Sequence, residues 1–211
     1  MPTRSIVIFD LGGVLIDWNP RHLFRKMFGD DVAGMEHFLA HVCTDSWNLQ
    51  QDAGRTFAEA VAVAKAEHPD HAAYIDAYWH RWIETLNGPI DPTVAILEEL
   101  YARRVPLYAL TNWSAETIGL AKPLFPFLDR FAGIVVSGVE RIAKPDPRIF
   151  RILLERYQIA PEAAVYIDDN RHNVEAAALL GLYAIHFSGA PALRTELERL
   201  GLLPAAALHQ M

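Results

Sequence analysis

Ser5-Ile6-Val7-Ile8-Phe9-Asp10-Leu11-Gly12-Gly13-Val14 runs from a β-branched apolar tract straight into a carboxylate, and two glycines follow at once. A run this apolar reads as a strand buried on both faces, and a charge at its end is costly unless it sits at an opening. In an open parallel sheet that opening is the carboxyl edge of the strands, where ligands bind. The glycines permit a tight turn and a close approach of backbone to ligand. Asp10 is therefore a candidate nucleophile or metal ligand, with a structural turn aspartate as the plainer alternative.

Strand and helix patterns alternate from residue 89 onward. Asp91-Pro92 reads as an N-cap and first-turn proline opening a helix that carries Val94, Ile96, Leu97, Leu100 and Tyr101. Residues 105–110 form an apolar strand ending in Thr111-Asn112, and a short helix over 115–121 follows with Ser114 as its cap. A strand is expected at 134–137, then a second Asp-Pro helix start at Asp146-Pro147 running through Tyr157. Residues 164–167 read as a strand ending in Asp168-Asp169, followed by a helix over 170–180, a strand over 183–187 and a last helix over 191–200. Strands separated by helices of ~10 residues imply right-handed crossovers and a parallel sheet covered on both faces.

Residues 17–88 differ, with helical stretches at 20–28, 32–41, 56–68 and 72–86 and no strand pattern. The expected fold is α/β: a Rossmann-like parallel sheet with helices on both faces, built from residues 1–16 and 89–211, with residues 17–88 inserted as a helical cap. The composition suits such a core, since 52% of the 211 residues are hydrophobic and 21% charged. A formal net charge of −7 argues against general nucleic-acid binding, so an anionic substrate must be held by local groups. Cys43 is alone, permits no internal disulfide, and reads as a small apolar residue. His37 and His41 lie one turn apart without a third ligand at a familiar zinc spacing. With no secretory leader pattern and no apolar run of ~18 residues, we expect a cytoplasmic protein without a membrane partner.

Four polar features end, or closely follow, expected strands: Asp10, Thr111, Lys144 and the pair Asp168-Asp169. At one edge of one sheet they would converge on a single pocket. Carboxylates so close are costly, because two unit charges ~4 Å apart repel by about 4 kcal/mol at an effective dielectric of ~20. A divalent cation and a lysine would relieve that repulsion. Asp10 and Asp169 are hard oxygen ligands of the kind Mg²⁺ prefers, with water and a substrate phosphate completing its shell. Thr111 and Asn112 would receive a phosphoryl oxygen, and no GxxxxGK[ST] loop is present. Asp10 fits as a covalent nucleophile that splits one hard step into two easier ones.

Asp10-x-Gly12-Gly13-Val14, Leu110-Thr111-Asn112, Lys144-Pro145 and Ile167-Asp168-Asp169 resemble, in order, the four motifs of the haloacid dehalogenase-like (HAD) hydrolase superfamily. The 24 positions from Lys144 to Asp168 suit its third and fourth motifs, and the insertion sits where helical-cap members carry their cap. The first motif is similar to that of bacterial small-sugar phosphatases with an FDLGxV opening. The resemblance implies Asp10 as nucleophile and Mg²⁺ ligand, with the Gly12 carbonyl and Asp169 as further ligands and Asp168 supporting the metal shell. It implies that Thr111 and Asn112 bind the phosphoryl group, that Lys144 ties Asp10 to it, and that the substrate is a small phosphorylated metabolite.

There are two departures from the family pattern. Most phosphatases of this family carry a general acid and base two positions after the nucleophile, where this chain has Gly12. Asn173 likewise stands where many members have an aspartate. A missing acid removes a contribution typically of about 10²–10⁴-fold, unless the leaving group is intrinsically good or Asp17 or a cap residue supplies the proton. A metal-free 2-haloacid dehalogenase, which needs no such acid, and a non-catalytic binding module are the rival readings. The adjacent acidic pair Asp168-Asp169 weighs against the first, and retention of Asp10, Lys144 and Asp169 together against the second. Trp18 and Trp113 flank motif residues and read equally as pocket lining or as packing, whereas Trp79 and Trp82 read as packing.

Overall fold

The computed structural model describes residues 4–205. Five parallel strands make the central sheet: β1 (Ile6–Phe9), β4 (Leu107–Thr111), β5 (Gly133–Val136), β6 (Ala164–Asp168) and β7 (Tyr183–His186), in the order β5-β4-β1-β6-β7. The order comes from crossovers that leave β1 in one direction and return to its other side at β6. Asp10 N–H donates to the Ile167 carbonyl at 2.8 Å, extending the β1–β6 ladder by one residue. The carboxyl ends of β1, β4 and β6 are thereby neighbours at the reversal of strand order, where α/β sheets hold their ligands.

Alternation along β1 sends Val7 and Phe9 into one apolar layer and Ile8 into the other, as the period of two requires. The first layer includes Ile96, Leu97 and Leu100 of α6 (Asp91–Ala102) and Leu193 and Leu197 of α11 (Ala190–Arg199). The second is filled by Ile149, Phe150 and Leu153 of α9 (Pro147–Arg156) and Ala177 of α10 (Arg171–Leu179). Short helices α7 (Ile118–Ala121) and α8 (Ser137–Glu140) follow β4 and β5.

Five helices leave the sheet after β1: α1 (Pro20–Phe28), α2 (Val32–His41), α3 (Asp45–Asp52), α4 (Phe57–Glu67) and α5 (Ala72–His80). Their starts are locally encoded. Asn19 caps α1 ahead of Pro20, Thr44 caps α3, and Thr56 with Glu59 forms a reciprocal capping box on α4. Phe24 packs on Phe38 and Tyr78 with ring centroids 4.8 and 5.6 Å apart, and Phe57 stacks on Trp79 at 4.6 Å. These rings belong to the same apolar cluster as Val7, Phe9 and Ile167, so the helices and the sheet share one core.

Some expectations are corrected. Residues 17–88 are not strand-free, because β2 (Ile16–Trp18) and β3 (Leu86–Pro89) pair antiparallel and join the two ends of the helical segment. Strands this short, one of them containing Gly88-Pro89, carry too little pattern to stand out. Helix α3 was not expected either, since DSWNLQQD shows no apolar stripe. The helix expected over 72–86 gives way to a 3₁₀ turn at Trp82–Thr85. Asp91 is the first residue of α6 and gives no side-chain cap, whereas Asp146 does cap α9 through Arg148 N–H. Cys43 is buried, and that burial pushes its thiol up to about 12. No helix among the described residues is long and apolar enough to cross a membrane.

Candidate active site

Asp10 follows β1, Asp168 ends β6, and Lys144 stands between them from the loop after α8. Lys144 Nζ lies 2.9 Å from Asp10 Oδ1 and 2.7 Å from Asp168 Oδ2, and donates to the Leu110 carbonyl at 2.9 Å. An ammonium has three protons to give, and these three acceptors use them. The lysine loop is itself clasped by Asn112, whose Oδ1 accepts from Lys144 N–H at 2.8 Å while its Nδ2 donates to the Lys144 carbonyl at 3.0 Å. The Asn112 side chain thus holds the lysine in register, and Thr111 is buried beside it as the last residue of β4.

Asp10 Oδ1 also accepts the Leu11 N–H at 2.7 Å, so both contacts fall on one oxygen and leave Oδ2 without a hydrogen bond among the described residues. Asp168 is saturated by contrast. It accepts from Tyr166 Oη, from Asn170 N–H at 2.8 Å, and from Asn173 Nδ2 at 3.1 Å to each oxygen, besides Lys144. Asn173 can donate to that carboxylate, which an aspartate at the same position could do only when protonated. Tyr166 precedes Asp168 by two residues, so one face of β6 carries both. That spacing is the sequence signal for the pair.

Asp10, Asp168 and Asp169 each offer an oxygen within 4.8 Å of the others. Asp169 is positioned from its backbone, since His186 Nε2 at the end of β7 lies 2.9 Å from its carbonyl oxygen. Gly13, with φ +73°, lets Asp169 come close: a Cβ there would stand 2.3 Å from Asp169 Oδ2. The charges follow from this geometry. Burial pushes Asp10 up to about 7 against the pull of Lys144, and the Asp168 charge adds to the rise. Burial also opposes ionisation of Asp168, but Lys144 and the other donors hold it below the usual carboxylate range. Lys144 stays above its ordinary value because the two carboxylates outweigh its burial. Burial and the Asp168 charge raise Asp169. One ammonium therefore serves three carboxylates, a donor set of hard oxygens that could hold a divalent cation.

Beside this cluster lies a small cavity of about 60 Å³, lined by Gly12, Trp18, Asn48, Asp52, Trp82, Asn112 and Trp113. Trp18 and Trp113 line it; Trp82, expected only to pack, lines it too. Trp113 is fixed through its backbone, which exchanges bonds with Ser137 Oγ and Gly138 N–H. Asp17 points elsewhere: His22 Nε2 lies 3.0 Å from it and Asn87 Nδ2 donates to it at 2.9 Å, and the His22 bond foremost holds its carboxyl below the usual range. Asn48 and Asp52, both on the unexpected helix α3, were missed. Arg171 and His172 are exposed on α10, where Arg171 pairs with Glu175.

Residues 5–181 match the haloacid dehalogenase-like hydrolase family, and the chain belongs to it. The protein is thus a HAD-like hydrolase. It is 24% identical to a sesquiterpene phosphatase of Aspergillus oryzae, over 94% of this chain and 97% of that one. A HAD-family enzyme of Bacteroides thetaiotaomicron, solved with magnesium and inorganic phosphate, is similar at 26% identity and TM-score 0.64, covering 86% of this chain and 92% of that one. The L-2-haloacid dehalogenase of Xanthobacter autotrophicus shares the fold at 16% identity and TM-score 0.61, covering 97% of this chain and 85% of that one.

Proposed function

We propose that the protein is a Mg²⁺-dependent phosphatase that hydrolyses a small phosphorylated metabolite through an aspartyl-phosphate on Asp10. The observation that carries this reading is the cluster of three carboxylates within 4.8 Å around a single buried ammonium. Asp10, Asp169 and the Gly12 carbonyl would ligate the ion, with Asp168 holding Lys144 and the shell in place. The ion would neutralise the carboxylates and the incoming phosphate, which otherwise repel. Lys144 and the Leu11 N–H fix Oδ1 of Asp10, so Oδ2 is the oxygen presented to phosphorus. Thr111 and Asn112 would receive the phosphoryl oxygens.

Residues 17–88 would act as a cap over this edge. The cavity between these residues and the sheet edge, about 60 Å³ and open on one side, is where the leaving group would lie, and movement of the cap would shield it from water. The three tryptophans facing that cavity suit a sugar or other ring on the leaving group. The family's phosphatase relatives favour the same chemistry. A metal-free dehalogenase has little reason to hold Asp168 beside Asp169 against their repulsion. Hydrolysis of 4-nitrophenyl phosphate that stops in EDTA and returns with Mg²⁺ is the expected result. Halide release from 2-chloropropionate in excess chelator, with no phosphate release, would establish the dehalogenase in its place.

A further inference from the structure

We propose that Asp52, at the end of cap helix α3, is the general acid and base of this hydrolase, supplying from the cap what Gly12 lacks. The inference rests on the phosphatase reading and concerns the proton on the leaving-group oxygen. Asp52 and Gly12 line the same small cavity, with Trp18 and Asn112 beside them. A Cβ built on Gly12 meets nothing within 4 Å, so the space above that glycine is open to a leaving group.

The carboxyl is oriented rather than loose. Asn48 Nδ2 donates to Asp52 Oδ2 at 3.1 Å, and Asn48 is fixed in turn by Tyr78 Oη, which donates to its Oδ1 at 3.2 Å. No lysine or arginine is paired with Asp52 among the described residues. The groups facing it are neutral Tyr78 and Asn48 from the cap, and the Ser114 N–H and Lys144 from the core. Lys144 has already spent its protons on Asp10, Asp168 and Leu110. Burial accordingly prevails over these and pushes Asp52 up to about 7. A proton donor and acceptor works best with a pKa near the working pH, a condition that Asp17 fails.

In the first step Asp10 Oδ2 bonds to phosphorus and the bond to the leaving oxygen breaks. That oxygen keeps the electron pair and takes the Asp52 proton. In the second step the Asp52 carboxylate removes a proton from water as the water oxygen bonds to phosphorus. The Asp10–phosphorus bond breaks, its electron pair returns to Asp10, and Asp52 is protonated again.

The test is kcat/KM, which reports the first step, for 4-nitrophenyl, phenyl and ethyl phosphate with saturating Mg²⁺. In Asp52→Asn the ethyl ester should lose about 10²–10⁴-fold while the nitrophenyl ester, whose anion leaves unaided, loses less than about tenfold. Asp52→Glu should retain more ethyl-ester activity than Asp52→Asn. Adding Gly12→Asp to Asp52→Asn should recover part of the loss. If Asp52→Asn does not fold, Asp52→Ser is read by the same criterion. Equal losses on all three esters, or none, would overturn Asp52 as the acid while leaving the phosphatase intact. Wild-type protein without Mg²⁺-dependent activity on any ester would overturn the phosphatase reading, and the role of Asp52 with it.

Discussion

Asp10 concentrates the physics of the site in one side chain. Its Oδ1 is pinned by Leu11 N–H and Lys144, and its charge is opposed by burial. Asp10→Asn keeps the shape and an oxygen for the Leu11 bond but removes the nucleophilic charge. Turnover should fall to background with the far-UV circular dichroism unchanged; substantial residual activity would mean that another group attacks phosphorus. The raised pKa has a sign that can be read. Below about 7 the metal-free Asp10 carries a proton that a cation must displace. Mg²⁺ affinity should therefore rise with pH, by up to tenfold per unit, and level off above about 7. The Mg²⁺-induced gain in melting temperature, measured from pH 5 to 8, should follow that curve; a gain independent of pH would show that no proton on Asp10 is displaced by the ion.

At the scale of elements, the β1 turn and strand β6 set how closely the carboxylates approach. Gly13 has φ +73°, and a methyl group there would meet Asp169 Oδ2 at 2.3 Å. Gly13→Ala should cost about 1 kcal/mol or more in backbone strain and displace Asp169. Isothermal titration should then show weaker Mg²⁺ binding, whereas unchanged affinity would place Asp169 outside the ligand set. On β6, Tyr166 Oη donates to the buried Asp168 carboxylate. Tyr166→Phe should destabilise the fold by about 1.5–3 kcal/mol in urea unfolding, the usual range for a hydrogen bond to a charged group. Helix α3 shows why local pattern is a partial guide. Its polar octet begins at a good Thr44 cap, yet only packing of Trp47 and Gln51 into the tertiary core makes it a helix that presents Asp52.

Across the whole molecule, one apolar cluster runs from Phe24, Phe38 and Tyr78 of the inserted helices to Val7, Phe9 and Ile167 of the sheet. The β2–β3 ribbon ties both ends of the helical segment to each other. The helical segment and the sheet should therefore unfold together. Tryptophan fluorescence, which reports Trp18, Trp47, Trp79 and Trp82 in the cap and Trp113 in the core, should give the same urea midpoint as circular dichroism. Two separated transitions would show that the cap melts alone. Two further contacts join the helical segment to the loop after β4: Glu116 accepts the Phe57 N–H at 2.7 Å, and the Trp82 and Trp113 rings lie 5.6 Å apart.

Alternation of apolar strands and capped helices, with a carboxylate, a threonine or an acidic pair at the strand ends, was enough to place Asp10, Thr111, Lys144, Asp168 and Asp169 at one sheet edge. Such features are local: a strand buried on both faces has no use for a charge within it, so the charge marks where the strand meets solvent and ligand. Only the tertiary structure decided how those groups share their bonds. It showed Lys144 spent on Asp10, Asp168 and Leu110, Asn112 clasping the lysine backbone, and Asn173 and Tyr166 donating to Asp168. It also turned Asp17 towards His22 and set Asp52 and Gly12 in the lining of one cavity. Hydrogen-bond partners and burial join residues far apart in the chain, and no periodicity in the sequence records which carboxyl a folded cap leaves without a cation.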